Sequence, residues 1–452
     1  MRATERARVF RGKHMNEVLR RKYTLFLLFL VSMFNYIDRN ILAILQVPIK
    51  RDLGLSDTQI GALTGLSFAL MYSLMGLPVA RLADRSNRAH LIATAVVLWS
   101  VMTALTGLAG GFLTLVLLRV GVAVGESGSV PATHSLIADL YPPDSRATVL
   151  AVWGLSVPLG TGLGFLVGGH LDELIGWRAA FALVGITGLL MGPLIWLTMK
   201  EPVRGGFDPV HDQPTEAQDW RRVIRYLWSL RTFRYLLPAG ACQGFAMLSA
   251  MHWNAPFYRR VHGMSMSEIS VYLALMSGVG FAIGIYGGGR LSDHFGRRDP
   301  RWRLRIVSVA SMAMVPLALT QYLIQSSSAS IACGLLASIL MVFFMSPIVA
   351  VPQSIVPSSM RAFTSAVVIL TFNIVALGLG PFVTGLMSDV LTNHFESGVE
   401  SVRYALCASM LLGVAASILF WVASTHLTRE LPMKPSPAPI YDPVAIVLRR
   451  AD

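Results

Sequence analysis

Apolar runs of membrane-spanning length, separated by short charged clusters, follow one another along almost the whole chain. At 1.5 Å per residue, a helix needs roughly 20 apolar residues to cross the hydrocarbon core of a bilayer. Windows between charges predict such helices over residues 23–46, 59–81, 89–108, 112–139, 147–170 and 178–199. A second set is predicted over 233–258, 268–289, 304–325, 329–352, 362–388 and 404–427. Residues 306–360 hold no Asp, Glu, Lys or Arg and are too long for one helix, so "QSSSAS" at 325–330 is read as a turn. "LAGG" at 108–111 likewise divides the third helix from the fourth. The pattern predicts an all-α polytopic membrane protein with twelve transmembrane helices.

One connection breaks the rhythm. "EPVRGGFDPVHDQPTEAQDWRRVIRYLWSLR" is longer and more polar than any other, and it divides six helices from six. Its Pro/Gly/Asp-rich start reads as flexible, and "WRRVIRYLWSLR" reads as a basic amphipathic helix on the membrane surface. The predicted organisation is a basic tail (1–22), a first six-helix bundle (23–199), an inter-bundle loop (200–232), a second bundle (233–427) and a C-terminal tail (428–452). That tail, with "LPMKPSPAPIYDP", is expected to be disordered.

The two halves echo each other. "ARLADRSNR" at 80–88 follows the second span and "GRLSDHFGR" at 289–297 follows the eighth, setting Asp84 and Asp293 209 residues apart. "YPPDSRATVLA" enters the fifth span and "VPSSMRAFTSA" the eleventh, with Arg146 and Arg361 offset by 215. "WRAAFAL" and "VRYALCA" open the sixth and twelfth. Three matches in order at nearly constant offset predict a duplicated unit. Transporters built this way hold their substrate between the halves near the bilayer midplane.

Composition agrees. The 452 residues are 54% hydrophobic and 14% charged, against about a quarter charged in soluble domains. The net charge of +13 does not indicate nucleic acid, because the basic residues sit between apolar spans. Placing both termini in the cytoplasm puts 30 of the 38 Lys and Arg on that side and six outside, with Arg39 and Arg119 in the membrane. The N-terminus lacks the short apolar core and cleavage site of a signal peptide. Cys242, Cys333 and Cys407 fall singly in apolar spans, so neither disulfides nor a metal site is expected. The five glycines between 160 and 169 permit close helix contacts, and no phosphate-binding "GKS/GKT" loop occurs.

Two families of known proteins carry these motifs. The loop after the eighth span, Gly289 to Arg297, is similar to the Gly-x-x-x-Asp-Arg-x-Gly-Arg signature of the major facilitator superfamily. The copy after the second span keeps Asp84, Arg85 and Arg88, with Ala80 and Asn87 in place of the glycines. The resemblance implies the major facilitator fold, two pseudo-symmetric six-helix bundles, and a cytoplasmic gate at Asp84, Arg85, Arg88, Asp293 and Arg297. "NYIDRNILA", "VGESGSVPATHSLIADLYP" and "VPLGTGLGFLVGG" resemble, more narrowly, the spinster family. That likeness implies transport of lysophospholipids or sphingolipid-like molecules with proton coupling.

The ionisable residues inside the spans carry the chemistry. Between Lys22 and Lys50 lie 27 residues, of which only Asp38 and Arg39 are charged. Counting from the outer helix ends, Asp38 and Arg119 lie at matching depth, roughly 11 Å in, and Glu126 lies on the Arg119 face roughly 10 Å deeper. The expected arrangement sets Arg119 within reach of Asp38, with Glu126 facing the same central cavity. Intramembrane charges usually face a bundle interior or water. Burial raises a carboxylate's pKa and a nearby arginine lowers it, so alternating access can move a proton on and off. Asp38 and Glu126 are therefore the proton-coupling candidates. Arg119, whose planar fork suits a phosphate or carboxylate, and Arg39 are the substrate or charge-network candidates. A permanently ionised network holding helices together is the plainer alternative.

The second half has no mid-depth carboxylate. Its cavity-lining candidates are Gln243, His252, Asn254 and Asn373, joined by Asn35 from the first half. His134 is expected to pack rather than relay protons. A charged wall beside an apolar wall suits an amphiphile. The expected function is a proton-coupled secondary transporter for a lysolipid or sphingolipid-like substrate working by alternating access. The alternatives are an exporter of hydrophobic drugs, a transporter of small organic anions, and a non-transporting membrane receptor. No enzyme activity and no cofactor are called for. The expected partners are the lipid bilayer, an amphipathic lipid or organic anion, and protons, without nucleic acid and as a monomer. A bacterial inner membrane is the expected location.

Overall fold

The computed structural model describes residues 2–205, 207, 220–395 and 398–431, with backbone alone at 2–16, 147 and 358. The expectations of a flexible stretch at 208–219 and a disordered tail beyond residue 431 lie outside the described residues.

Nine helical stretches among the described residues are long and apolar enough to cross a membrane. The first bundle holds α1 (Arg2–Leu53), α2 (Asp57–Arg85), α3 (Arg88–Thr106) and α4 (Phe112–Leu140). Its last two spans share the run Pro143–Thr198, which folds back at Gly176, so that α5 is 143–175 and α6 is 177–198. Gly176 has φ 77°, a conformation that glycine adopts without steric cost. The second bundle holds α7 (Arg231–Val261), α8 (Met266–Gly296), α9 (Trp302–Leu323), α10 (Ser327–Met341 continued by Pro347–Ile355), α11 (Arg361–Phe395) and α12 (Ser401–Glu430). The polar residues of α7 lower its apolarity, and the interruption of α10 leaves its apolar segment Ser327–Met341 too short to count by itself. With them, the twelve expected spans are all present. The amphipathic stretch forms a short helix, Trp220–Ser229, which buries Val223 and Leu227 and exposes Trp220 and Trp228.

The helix α1 starts at Arg2, some twenty residues before the expected span, because the basic segment carries helix formers and no proline. At the other end of α1, Pro48 is tolerated in the last turns. Because the span number is even, the start of α1 and the end of α12 lie on one face, called here the termini face, opposite the outer face.

Lipid chains are as apolar as leucine, so close packing rather than hydrophobic burial draws membrane helices together. The glycines of α5 show how. Gly160, Gly164 and Gly168, four residues apart, lie against Met33, Ile37 and Ile41 of α1, while Gly162 and Gly169 lie against Ala274 and Ser270 of α8. One helix therefore meets its own bundle on one face and the other bundle on the next.

The core divides unevenly. One apolar cluster runs from the second bundle into the outer half of the first, through Ile41, Ile44, Phe165, Trp177 and Phe181. The termini half of the first bundle has a core of its own, around Leu27, Ile92, Trp99, Leu136 and Ile195. The bundles are thus joined in their outer halves.

Candidate functional site

Local sequence sets the site at a break in α4. That span is helical over Phe112–Glu126 and again over Ser129–Leu140. Pro131 has no N–H to offer the Ser127 carbonyl, and Gly128 relaxes the backbone between the two segments. Glu126 therefore ends a helical segment in mid-membrane, with the Ser129 hydroxyl donating to its carbonyl at 3.0 Å.

The Glu126 carboxylate is fully buried and pairs with Arg39, Nε to Oε2 at 2.6 Å. The Arg39 guanidinium sits in an aromatic cradle, 4.7 Å from the Phe68 ring centre, 4.6 Å from Tyr72 and 5.4 Å from Tyr36. Cation–π contacts of this kind partly replace the water the cation has lost. Arg119 lies on Phe68 as well, at 5.2 Å. Asp38 accepts the Thr103 hydroxyl of α3.

Arg119 is within electrostatic reach of Asp38, as expected, but the two form no ion pair. Residues 38 and 39 diverge by about 100° around α1; the first turns to α3 and the second takes Glu126. Among the described residues no ion pair joins Arg119 to either carboxylate, although Asp38, Glu126 and Arg39 all lie near enough to act on it electrostatically. Three buried atoms are left without partners: Asp38 Oδ1, Arg119 Nε and Glu126 Oε1. Buried polar atoms are rarely left so, which marks the cluster as the candidate site.

The polar candidates separate into two kinds. Asn35 lies beside the Glu126 carboxylate with its Nδ2 unpartnered. His252 is within the electrostatic reach of Arg119, its Nδ1 is unpartnered, and its carbonyl accepts from Gln46 of α1. Gln243 donates to the Met341 carbonyl at 3.0 Å and leaves its Oε1 free. Asn254, by contrast, is turned into its own bundle. Its Oδ1 accepts from the Tyr322 hydroxyl at 2.9 Å and from Gln321 at 3.4 Å, beside Tyr258, Tyr272 and Ser330. Asn373 is half-buried within the wide turn Phe372–Leu379 of α11. His134 lies edge-on to Trp153 at 5.0 Å. In the second bundle, Leu237, Gly240, Met345, Ile348, Val368 and Phe372 line an apolar cavity of about 140 Å³ between α7, α10 and α11.

The expected gate residues do not bridge the bundles here. Arg88 is buried and held within the first bundle by Asp139 at 2.6 Å, Glu201 at 2.7 Å and the Ser135 hydroxyl at 2.6 Å. Asp84, Arg85, Asp293 and Arg297 are exposed, and Arg204 donates to the Asp84 carbonyl.

The seal is at the outer face, in residues that sequence reasoning missed. Asp57 of α2 accepts from Arg260 of α7 through both oxygens at 2.6 and 2.7 Å, from Ser388 of α11 at 2.7 Å, and from Lys50. Asp389 of α11 accepts the backbone amides of Asp57 and Thr58. Glu173 of α5 accepts the Ser267 amide of α8 at 2.9 Å. Among the described residues, every hydrogen bond between the bundles lies in the outer half. The signal was present in the matched starts "SDTQ" at 56–59 and "SMSE" at 265–268, each closed by a capping box.

Among the described residues no three His, Cys, Asp or Glu gather to hold a metal. The model of the Major Facilitator Superfamily matches residues 28–381. An MFS-type efflux pump of Mycolicibacterium smegmatis is 34% identical over 406 residues, 89% of this chain and 92% of the relative. A hexuronate transporter of Bacillus subtilis is 26% identical over 275 residues, 61% of this chain and 65% of the relative. The crystal structure of a bacterial homologue of the human lysosomal transporter spinster, inward-facing and unoccupied, superposes with a TM-score of 0.84 at 31% identity, covering 92% of this chain and 99% of that one. Twelve helices in two bundles, mid-membrane charges and these likenesses agree: the chain is an integral membrane transporter of the major facilitator superfamily, resembling the spinster proteins within it.

Proposed function

We propose that the chain is a proton-coupled secondary transporter moving an amphipathic lysolipid or sphingolipid-like substrate by alternating access. The observation that carries this reading is the division of labour between the bundles. The first supplies the buried cluster of Asp38, Arg39, Arg119 and Glu126 with three open polar atoms; the second supplies an apolar cavity. A charged headgroup belongs with the former and an acyl chain with the latter.

The same cluster supports the proton-coupling part of this reading. A buried carboxylate is stable as an anion only while its cation stays close. If Arg39 leaves Glu126 for a substrate phosphate, or moves as the bundles rock, Glu126 takes up a proton, and the return of Arg39 expels it. Asp38, with one open oxygen, is the second carrier. Asp84, Arg85, Arg88, Asp293 and Arg297 take up their gating role when the termini face closes. We place both termini in the cytoplasm of a bacterial inner membrane, on the bias of the basic residues.

Export of hydrophobic drugs is the second reading, favoured by the likeness to an efflux pump. Purified protein in proteoliposomes under an imposed proton gradient separates the two. Lysophospholipid or sphingosine phosphate flux that collapses with the gradient supports the first reading. Flux of lipophilic cations without lysolipid flux supports the second, and no flux of any of these rejects both.

A further inference from the structure

Among the described residues, the seam between α9 and α12 leaves the Arg301 and Arg305 side chains without ion pairs, the Asp299 carboxylate accepting only the backbone amide of Arg301 at 2.9 Å. The two helices are held close by reciprocal hydrogen bonds, Ser308 Oγ to the Ser417 carbonyl at 2.7 Å and Ser417 Oγ to the Ser308 carbonyl at 2.8 Å. At the termini end of this seam, the Arg305 guanidinium lies 5.0 Å from the Trp421 ring and 5.8 Å from that of Trp302. Arg301 reaches the Thr428 hydroxyl at 3.5 Å. The Nε atoms of both arginines are shielded and unpartnered, and among the described residues neither arginine makes an ion pair. The equivalent place in the first bundle is different: Arg88, at the start of α3, is neutralised by Asp139 and Glu201.

Further along the seam the surface becomes apolar. Residues 301, 305, 309 and 312 share one face of α9, and residues 411, 418, 421, 425 and 428 share one face of α12. Val309, Met312, Leu411 and Ile418 on those faces are all exposed. The surface thus has a cationic head flanked by tryptophans and an apolar strip leading toward the bilayer centre.

We propose that this seam binds a phosphate-bearing anionic membrane lipid of the leaflet on the termini face. Arg301 and Arg305 hold the phosphate, for which the guanidinium fork is the matching donor. Trp302 and Trp421 sit at headgroup level, where indoles are favoured, and the acyl chains follow Val309, Met312, Ile418 and Leu411. Basic pockets between spans on the positively charged side take such headgroups. A bilayer lipid, rather than a soluble anion, is the occupant because the cationic end and the apolar strip are continuous. The site is separate from the Asp38–Glu126 cluster, so it stands whatever the transported substrate is.

The test is tryptophan quenching by lipids with brominated chains, added to the purified full chain in neutral detergent. The signal of Trp302 and Trp421 is isolated by subtracting that of the Trp302→Phe, Trp421→Phe variant. Brominated phosphatidylglycerol is expected to quench at roughly tenfold lower concentration than brominated phosphatidylcholine. That preference is expected to vanish in Arg301→Gln, Arg305→Gln and to persist in Arg301→Lys, Arg305→Lys. Equal quenching of the wild-type protein by the two lipids overturns the proposal without reliance on any variant. So does full preference in the double Gln variant, or displacement of the lipid by inorganic phosphate at equal concentration, which marks a free-anion site.

Discussion

Asp389 of α11 caps Thr58 of α2 across the two bundles, one carboxylate oxygen accepting the Thr58 amide at 2.7 Å and its hydroxyl at 2.6 Å. Glu173 of α5 likewise accepts the Ser267 amide of α8 at 2.9 Å. Helices 2 and 8 correspond under the internal repeat, as do 5 and 11. The outer seal is therefore built twice, each time from a carboxylate on one bundle and the positive end of a helix on the other.

Removing one cap tests the seal. Asp389→Ala is expected to cost about 0.5–2 kcal/mol, the range for loss of a helix cap, and to raise the outward-open population several-fold. Labelling of a cysteine placed beside Thr58, from the outer side, measures this; an unchanged rate rejects the cap as part of the seal.

Crowding the same crossing acts in the same direction. A Cβ at Gly61 would stand 2.5 Å from the Pro381 carbonyl oxygen, less than any real contact allows. Gly61→Ala is expected to open the outer face or lower the melting temperature by several degrees. Retention of both would mean that α2 and α11 pass each other more loosely than this.

The pH dependence of transport is expected to reside in Glu126. Glu126→Gln keeps the shape and removes the charge, so proton-driven flux should fall at least tenfold while substrate binding in detergent survives. An unaltered pH profile of flux would return Glu126 to a purely structural role.

Asn254→Leu probes the polar interior of the second bundle. It leaves the Tyr322 hydroxyl and Gln321 without their shared acceptor, at a cost of about 1–3 kcal/mol. Thermal unfolding should report that loss. If instead lysolipid binding is lost at unchanged stability, Asn254 lines the substrate path after all.

Much of the site was legible in the sequence because charge inside an apolar span has few reasons to exist. Asp38, Arg39, Arg119 and Glu126 could be named without a structure, and all four are where intramembrane charges are expected, in the bundle interior. Their pairing was not legible. Helical depth alone matched Asp38 to Arg119, but depth ignores the rotation of α1, which points Asp38 at Thr103 and Arg39 at Glu126. Asp57 escaped notice for a different reason. At a helix start it reads as an ordinary first-turn acid, and only its approach to Arg260, 203 residues away, makes it part of a seal.

Span number, the duplicated halves and the identity of the buried charges were determined by the sequence by itself, since each rests on local quantities: the length of an apolar run, the spacing of a motif, the cost of a charge in hydrocarbon. The tertiary structure alone decided which charge meets which, that Asn254 faces its own bundle, and that the outer face is the closed one. Those depend on how helices rotate about their axes and how two separate bundles lean together. Such choices are made by contacts between residues far apart in the chain, where no local pattern reaches.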